Sequence, residues 1–296
     1  MKSDNYIAEM FPQRYDLFFS NLVSHAAEEV VSSYWGSMRN FIIILVILIF
    51  TAPLFPVEYK TIHIIVALCD NENQGIVPVS KKLGDGKNPN TNLYWGALYG
   101  VKTTFKKSSS WKLIKQYKNL NTKIAERVIF KHHNSHTFLI ADAYYGDKIK
   151  DAIIDIIHSG YGEKNEMLKI HYNSKDIELG IYGESDLLTY AGHNGLMELE
   201  YHYNSKIKDE KVRDLILLAC STQRYFKEQF YNTKVNPILV TTGLMAPEAY
   251  TLESVFEGWI HSETKEELLL RAAKAYSKYQ KCSLKAAEKL FENKWH

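Results

Sequence analysis

From residue 61 onward, short apolar runs of strand length alternate with stretches of helical periodicity. Thr61-Ile-His-Ile-Ile-Val-Ala-Leu68 is β-rich and apolar through its centre, the pattern of a strand covered on both faces. It ends in Cys69-Asp70-Asn71 and gives way to a polar stretch containing Gly84, Gly86 and Pro89. Leu93, Trp95, Leu98 and Val101 predict a helix over 92–106 despite Gly96 and Gly100. Strands are expected at 127–132 and 137–143, as a hairpin joined by His133-Asn134-Ser135-His136. Asp147 then opens an amphipathic helix as its N-cap. Ile149, Ile153, Ile156 and Ile157 fall on one face, and Gly160 is the stop. A second hairpin is expected over 163–182 around Asn173-Ser174, followed by the strand that carries His193, the strand that carries Cys220 and a strand at 237–242. A helix at 248–260 and a helical tail over 263–290, read as a surface helix, complete the pattern. The fold class this predicts is α/β: a three-layer sandwich with a mostly parallel sheet flanked by helices.

An N-terminal segment of different character precedes this domain. Phe41–Phe50 is wholly apolar and continues through Thr51-Ala-Pro-Leu-Phe55. Fifteen residues of helix would span roughly 22 Å, short of the roughly 30 Å hydrocarbon core, and Pro53 and Pro56 oppose a regular helix at its far end. An apolar run of this length behind a basic residue has the form of a secretory signal, and Met38-Arg39-Asn40 stands directly before it. The expected organisation is an N-terminal extension over 1–37, upstream of an alternative start at Met38. A signal peptide or membrane anchor follows over 38–56, then an α/β domain with a C-terminal helix over 57–296. A short anchor behind Met1 and a buried core segment are the competing readings of 41–55. Signal or anchor, the run predicts that the remainder lies outside the bacterial cytoplasm, exported, periplasmic or membrane-anchored.

Composition narrows the function classes. Of 296 residues, 46% are hydrophobic and 24% charged, as in a foldable globular chain rather than a disordered one. A formal charge of +2 without a basic stripe speaks against nucleic acid as a partner. Three cysteines, Cys69, Cys220 and Cys282, are too few and too scattered for a disulfide framework or a four-cysteine zinc site.

Candidate chemistry gathers at two strand endings. Asp186-Leu-Leu-Thr-Tyr-Ala-Gly-His193-Asn-Gly195 stops at an imidazole, and Asp214-Leu-Ile-Leu-Leu-Ala-Cys220-Ser stops at a thiol. Functional groups in an open parallel sheet collect at the carboxyl ends of its strands. One His and one Cys so placed are what a cysteine nucleophile with an acid/base partner requires. Read alone, a Cys at a strand end is a small apolar residue and a His before Gly satisfies a turn. Cys69 and Asp70 also follow a strand, as pocket candidates, with Cys69 an alternative nucleophile. Asp142, after Leu139-Ile-Ala141, is expected as a strand-end carboxylate that binds substrate or orients His193. His132, His133 and His136 lack the Glu of a recognised zinc arrangement and read as loop histidines; no metal site and no cofactor is called for. Gly84-Asp-Gly-Lys87 lacks phosphate-loop spacing and reads as a turn.

The Asp, apolar strand, Gly-His and nearby Gly, followed by four apolar residues, Ala and Cys, resemble the caspase–hemoglobinase group of cysteine peptidases. That group includes caspases, metacaspases, legumains, gingipains and clostripain. The resemblance covers roughly residues 60–260, with motifs at about twenty positions. It implies a caspase-like fold, Cys220 as nucleophile, His193 as acid/base, and oxyanion donors from the backbone of Cys220 and of Gly195. The family carries Gly directly after the His; here Asn194 intervenes, so the second donor falls to Asn194 or Gly195. The 27-residue His-to-Cys spacing is also short and leaves a terse crossover over 200–213. The implied reaction is acyl transfer from a peptide or protein substrate to Cys220, then hydrolysis. The rival is a catalytically inactive caspase-like module that binds a partner at the same edge. Ala67–Asn71, Gln74–Pro78 and Tyr190–Met197 also resemble phrases of exported bacterial proteins, a likeness that brings no activity with it.

Overall fold

Strand order in the sheet sets where the chemistry gathers. In this computed structural model the described residues are 34–35, 58–203 and 205–295. The chain divides into compact units at Met1–Pro56 and Val57–His296. Met38 and the apolar run 41–55, with the signal or anchor expected there, lie outside the described residues. Among the described residues no helix is long and apolar enough to cross a membrane.

The second unit is α/β, with an eight-stranded mixed sheet. Its strands in chain order are β1 (Lys60–Ala67), β2 (Trp111–Lys118), β3 (Ile124–His132), β4 (Thr137–Tyr144), β7 (Leu187–Ala191), β8 (Arg213–Leu218), β9 (Val235–Thr241) and β10 (Phe291–Glu292). Their spatial order is β10-β9-β8-β7-β1-β4-β3-β2. The five central strands β9, β8, β7, β1 and β4 are mutually parallel, while β3, β2 and β10 add antiparallel edges. Numbered along the chain, the parallel strands lie in the order 2-1-3-4-5. That is the order of doubly wound sheets, whose ligands bind where the winding reverses, here beyond β1 and β7.

The central strands are buried on both faces, which is why they read as unbroken apolar runs. Helices α2 (Ile149–Gly160) and α3 (Thr222–Phe230) pack on one face through Ile153, Ile156, Phe226 and Phe230. The other face carries α1 (Val101–Lys107), α4 (Tyr250–Ile260), α5 (Lys265–Gln280) and α6 (Leu284–Glu288), through Phe105, Phe256, Leu268 and Ala287. A separate hairpin of β5 (Asn165–Tyr172) and β6 (Lys175–Tyr182) turns at Asn173 and Ser174. Both turn residues have positive φ, as a tight two-residue hairpin turn requires.

Several expectations are corrected. The helix predicted over 92–106 is only Val101–Lys107, because 92–100 folds as tight turns. A Cβ at Gly96 would lie 2.2 Å from the Asn90 carbonyl oxygen, a closeness incompatible with any side chain. Asp147 sits in a 3-10 turn (Gly146–Lys148) and does not cap α2, whose N-cap position is Lys148 without a side-chain bond. The tail is not one surface helix. It breaks at Lys281, which is left-handed, and α5 buries Leu268, Ala272, Ala273 and Tyr276. Strand β2 escapes hydropathy because its lysine-rich sequence is largely accessible.

Candidate active site

Parallel pairing of β7 with β8 puts Ala191 opposite Leu218, so the chain leaves both strands at the same edge within two residues of His193 and Cys220. The aspartates that open the two segments work at the other end. Asp186 Oδ2 accepts the Thr61 N–H at 2.7 Å, and Asp214 Oδ2 accepts the Trp259 indole N–H at 2.7 Å. Gly192 makes the exit from β7. Its φ of +140° is open to glycine, and a Cβ there would meet the Ala67 carbonyl oxygen at 2.9 Å. Its N–H donates to the Leu218 oxygen at 3.3 Å, carrying the pairing one residue past the strand.

His193 is 7% exposed, and its Nε2 lies 2.7 Å from Glu198 Oε1. A carboxylate accepts only, so Nε2 carries a proton in this pair, and Nδ1 is the nitrogen with the lone pair whenever the ring is neutral. Glu198 Oε2 also accepts the Gly75 N–H at 2.9 Å, tying the loop after β1 to the imidazole. The Tyr190 hydroxyl donates to the His193 carbonyl oxygen at 2.6 Å and fixes its backbone from below. Glu198 was missed in the sequence. It stands at i+5 within a 3-10 turn (Gly195–Met197) and its exit, a spacing that signals nothing in itself.

Cys220 is partly exposed. Its Sγ lies 3.5 Å from the Met245 carbonyl oxygen, and the Met245 N–H donates to it at 3.4 Å. Asn194 joins the two strand ends: Nδ2 donates to the Cys220 carbonyl oxygen at 2.6 Å, and Oδ1 accepts the Leu196 N–H at 3.1 Å. Asn194 is therefore a bracket. Its side chain is committed to those two partners, so an oxyanion role for it or for Gly195 falls to the backbone. The crossover from β7 to β8 is an irregular loop among the described residues, with that 3-10 turn as its regular structure.

The pocket candidates divide. Cys69 is fully buried, and burial pushes its thiol up to about 11, a hydrogen bond from Tyr94 offsetting part of the shift and Asp70 adding to it. Asn92 grips the backbone of Cys69 on both sides, accepting its N–H at 3.0 Å and donating to its oxygen at 2.8 Å. Asp70 organises a turn: Oδ1 accepts the N–H of Glu72 at 2.8 Å and of Asn73 at 3.1 Å, and Oδ2 takes the Asn73 amide at 2.8 Å. These two residues build the loop after β1; a buried neutral thiol is poorly suited to attack a carbonyl.

Asp142 is corrected on position and partner. β4 runs on to Tyr144, so Asp142 lies inside the strand, and its carboxylate is held by Arg127 and His63, not by His193. The histidines at 132–136 are dispersed in their contacts. His132 Nε2 lies 3.3 Å from Glu257 Oε1, and His136 packs edge-on against Tyr59. Among the described residues no group of three potential ligands is placed to hold a metal ion.

Compared with protein-family models, with curated proteins and with solved structures, the chain shows no match, so its functional reading rests on its own residues.

Proposed function

We propose that this protein is a caspase-like cysteine hydrolase acting on peptide or protein substrates, with Cys220 as nucleophile, His193 as acid/base and Glu198 orienting the imidazole. The observation that carries the reading is the bracketed pair of strand ends. Parallel neighbours β7 and β8 deliver the two reactive groups to one edge, and Asn194 ties them at 2.6 Å.

The chemistry follows from the tautomer. With Nε2–H on Glu198, Nδ1 is the base that takes the Cys220 proton as sulfur attacks the substrate carbonyl. The same proton passes to the leaving amine as the C–N bond breaks, leaving a thioester. Water then attacks, giving a proton back through His193 to the departing thiol. Backbone N–H groups of Cys220 and of Asn194 or Gly195 are the donors for the oxyanion, and one well-placed donor is worth about 3 kcal/mol in the transition state. Action outside the bacterial cytoplasm belongs to the same proposal and rests on the apolar run 41–55.

A panel of peptidyl acyloxymethyl ketones tests the reading, with the adduct located by mass spectrometry in wild type, Cys220→Ala and His193→Ala. The expected result is a single adduct on Cys220, formed faster than on a free thiol and slowed in His193→Ala. Labelling no faster than a free thiol, or indifferent to His193, overturns it. That outcome would favour a catalytically inactive binding module of the same fold, a reading supported by the engagement of the Cys220 sulfur with Met245 on both its donor and acceptor sides.

A further inference from the structure

A cavity of about 420 Å³ opens beneath the β5–β6 hairpin, and none of its lining residues comes from the segments that carry His193 or Cys220. Its volume falls in the range of small-molecule sites. Arg127 lines it and is backed by a chain of buried polar groups that the proposed hydrolysis does not use. The Tyr182 N–H donates to His63 Nδ1 at 2.9 Å, which places the proton on Nε2, 3.1 Å from Asp142 Oδ2. Asp142 in turn receives Arg127 through Nε at 2.6 Å and Nη2 at 2.8 Å. His63, Asp142 and Arg127 are each at most 4% exposed.

Burying three such groups is costly, and a bidentate pair fixes the guanidinium plane. The plane is fixed with its third nitrogen free of Asp142. Arg127 Nη1 has instead the half-exposed carboxylate of Glu166 at 3.5 Å, an ion-pair separation too long for a good hydrogen bond. Beside it, Lys164 Nζ stands 4.4 Å over the Tyr182 ring and 3.1 Å from Asp155 Oδ2. Asp155 is occupied, because it also accepts the Tyr144 hydroxyl at 2.6 Å. Burial, with Asp142 nearby, raises Tyr182 and keeps its hydroxyl neutral, so it does not repel an anion. Tyr117 and Leu168 supply apolar wall.

The geometry points to a binding site for a small organic carboxylate with an apolar body, its carboxylate replacing Glu166 at Arg127 Nη1 and reaching Lys164. Glu166 stands where the ligand's carboxylate would sit. A network serving only to hold the hairpin on the sheet would need no cavity of this size, and would lose by removal of the Glu166 charge rather than gain by it.

Phenylacetate is the probe, titrated calorimetrically into the full chain, with benzylamine as the cationic counterpart. Expected are saturable phenylacetate binding, several-fold tighter in Glu166→Gln, at least ten-fold weaker in Lys164→Met, and unchanged in Cys220→Ala; benzylamine does not bind. Glu166 is half exposed and Lys164 a third exposed, so both variants are chosen to leave the buried Arg127 in place. Absence of saturable phenylacetate binding to Glu166→Gln at millimolar concentration overturns the proposal. So does equal binding of benzylamine, or an affinity indifferent to Lys164. Because Cys220 takes no part, failure here leaves the hydrolase reading standing, and failure of that reading leaves this one.

Discussion

Asn194 holds the Cys220 carbonyl oxygen at 2.6 Å with its amide nitrogen and caps the Leu196 N–H at 3.1 Å with its amide oxygen. Asn194 thus joins the two loops on which the proposed chemistry depends. Asn194→Ala removes both bonds and leaves the part-buried Cys220 carbonyl without this donor, at a cost of about 1–3 kcal/mol. Thermal unfolding should fall by several degrees and alkylation of Cys220 should change with it. Asn194→Asp keeps the cap but sets a carboxylate against a carbonyl oxygen, so it should cost at least as much as alanine. An Asn194→Ala protein that melts with wild type would refute the bracket.

Glu198 fixes the proton on His193 Nε2 and the loop at Gly75 with the two oxygens of one carboxylate. A hydrogen bond to a charged group contributes about 1.5–3 kcal/mol, so losing it should slow a His-assisted thiol by roughly 10- to 100-fold. Glu198→Ala should therefore lower the labelling rate of Cys220 and alter its pH profile, whereas Glu198→Gln, which keeps one acceptor, should recover part of the rate. An unchanged pH profile in Glu198→Ala would assign the carboxylate to the Gly75 loop alone.

Asp142 links stability to acid. Burial alone would raise its carboxyl, but the hydrogen bonds and charge of Arg127, with His63, overcome that and hold it at about 2. An unfolded Asp titrates near 3.9. The native state therefore gains stability from the ionised group above about pH 4 and loses it as pH falls through about 2, a difference of about 2 kcal/mol. The clean readout is wild type against Asp142→Asn in urea melts between pH 5 and 2. The variant should be less stable at pH 5, with a gap that narrows on acidification. A gap that is constant over this range would contradict the linkage.

The parts legible in the sequence were those carried by continuous periodicity. Strands buried on both faces, such as β1 and β8, are unbroken apolar runs, and the Ile149–Ile157 face announces its helix. Both strand endings were readable because a reactive side chain follows such a run directly. What escaped depends on contacts distant in the chain. Asp142 follows an apolar run as His193 does, yet Arg127 on the neighbouring strand, 15 residues earlier, and His63, 79 residues earlier, claim it. Glu198 touches both His193 and Gly75 from an irregular turn, where no period constrains position. The 92–100 segment carries helical spacing, but Asn92 is drawn onto the Cys69 backbone and the glycines pack against neighbouring main chain, so tertiary contacts override propensity there.

Cys69 and Cys220 follow β1 and β8 at the same edge of the sheet, with β7 between those strands, and their reactivities should diverge. With its thiol raised to about 11 by burial, Cys69 has about a thousandth of its population as thiolate at pH 8 and no exposed surface. Cys220 is partly open to solvent and has His193 on the adjoining strand end. Brief treatment of the native protein with iodoacetamide, followed by peptide mapping, should find the label on Cys220 and on the half-buried Cys282, and not on Cys69. In denaturant all three should react at similar rates, because the difference lies in burial and not in local sequence. Native labelling of Cys69 at the rate of Cys220 would show that the loop after β1 opens readily. The nucleophile would then have to be sought at either strand end.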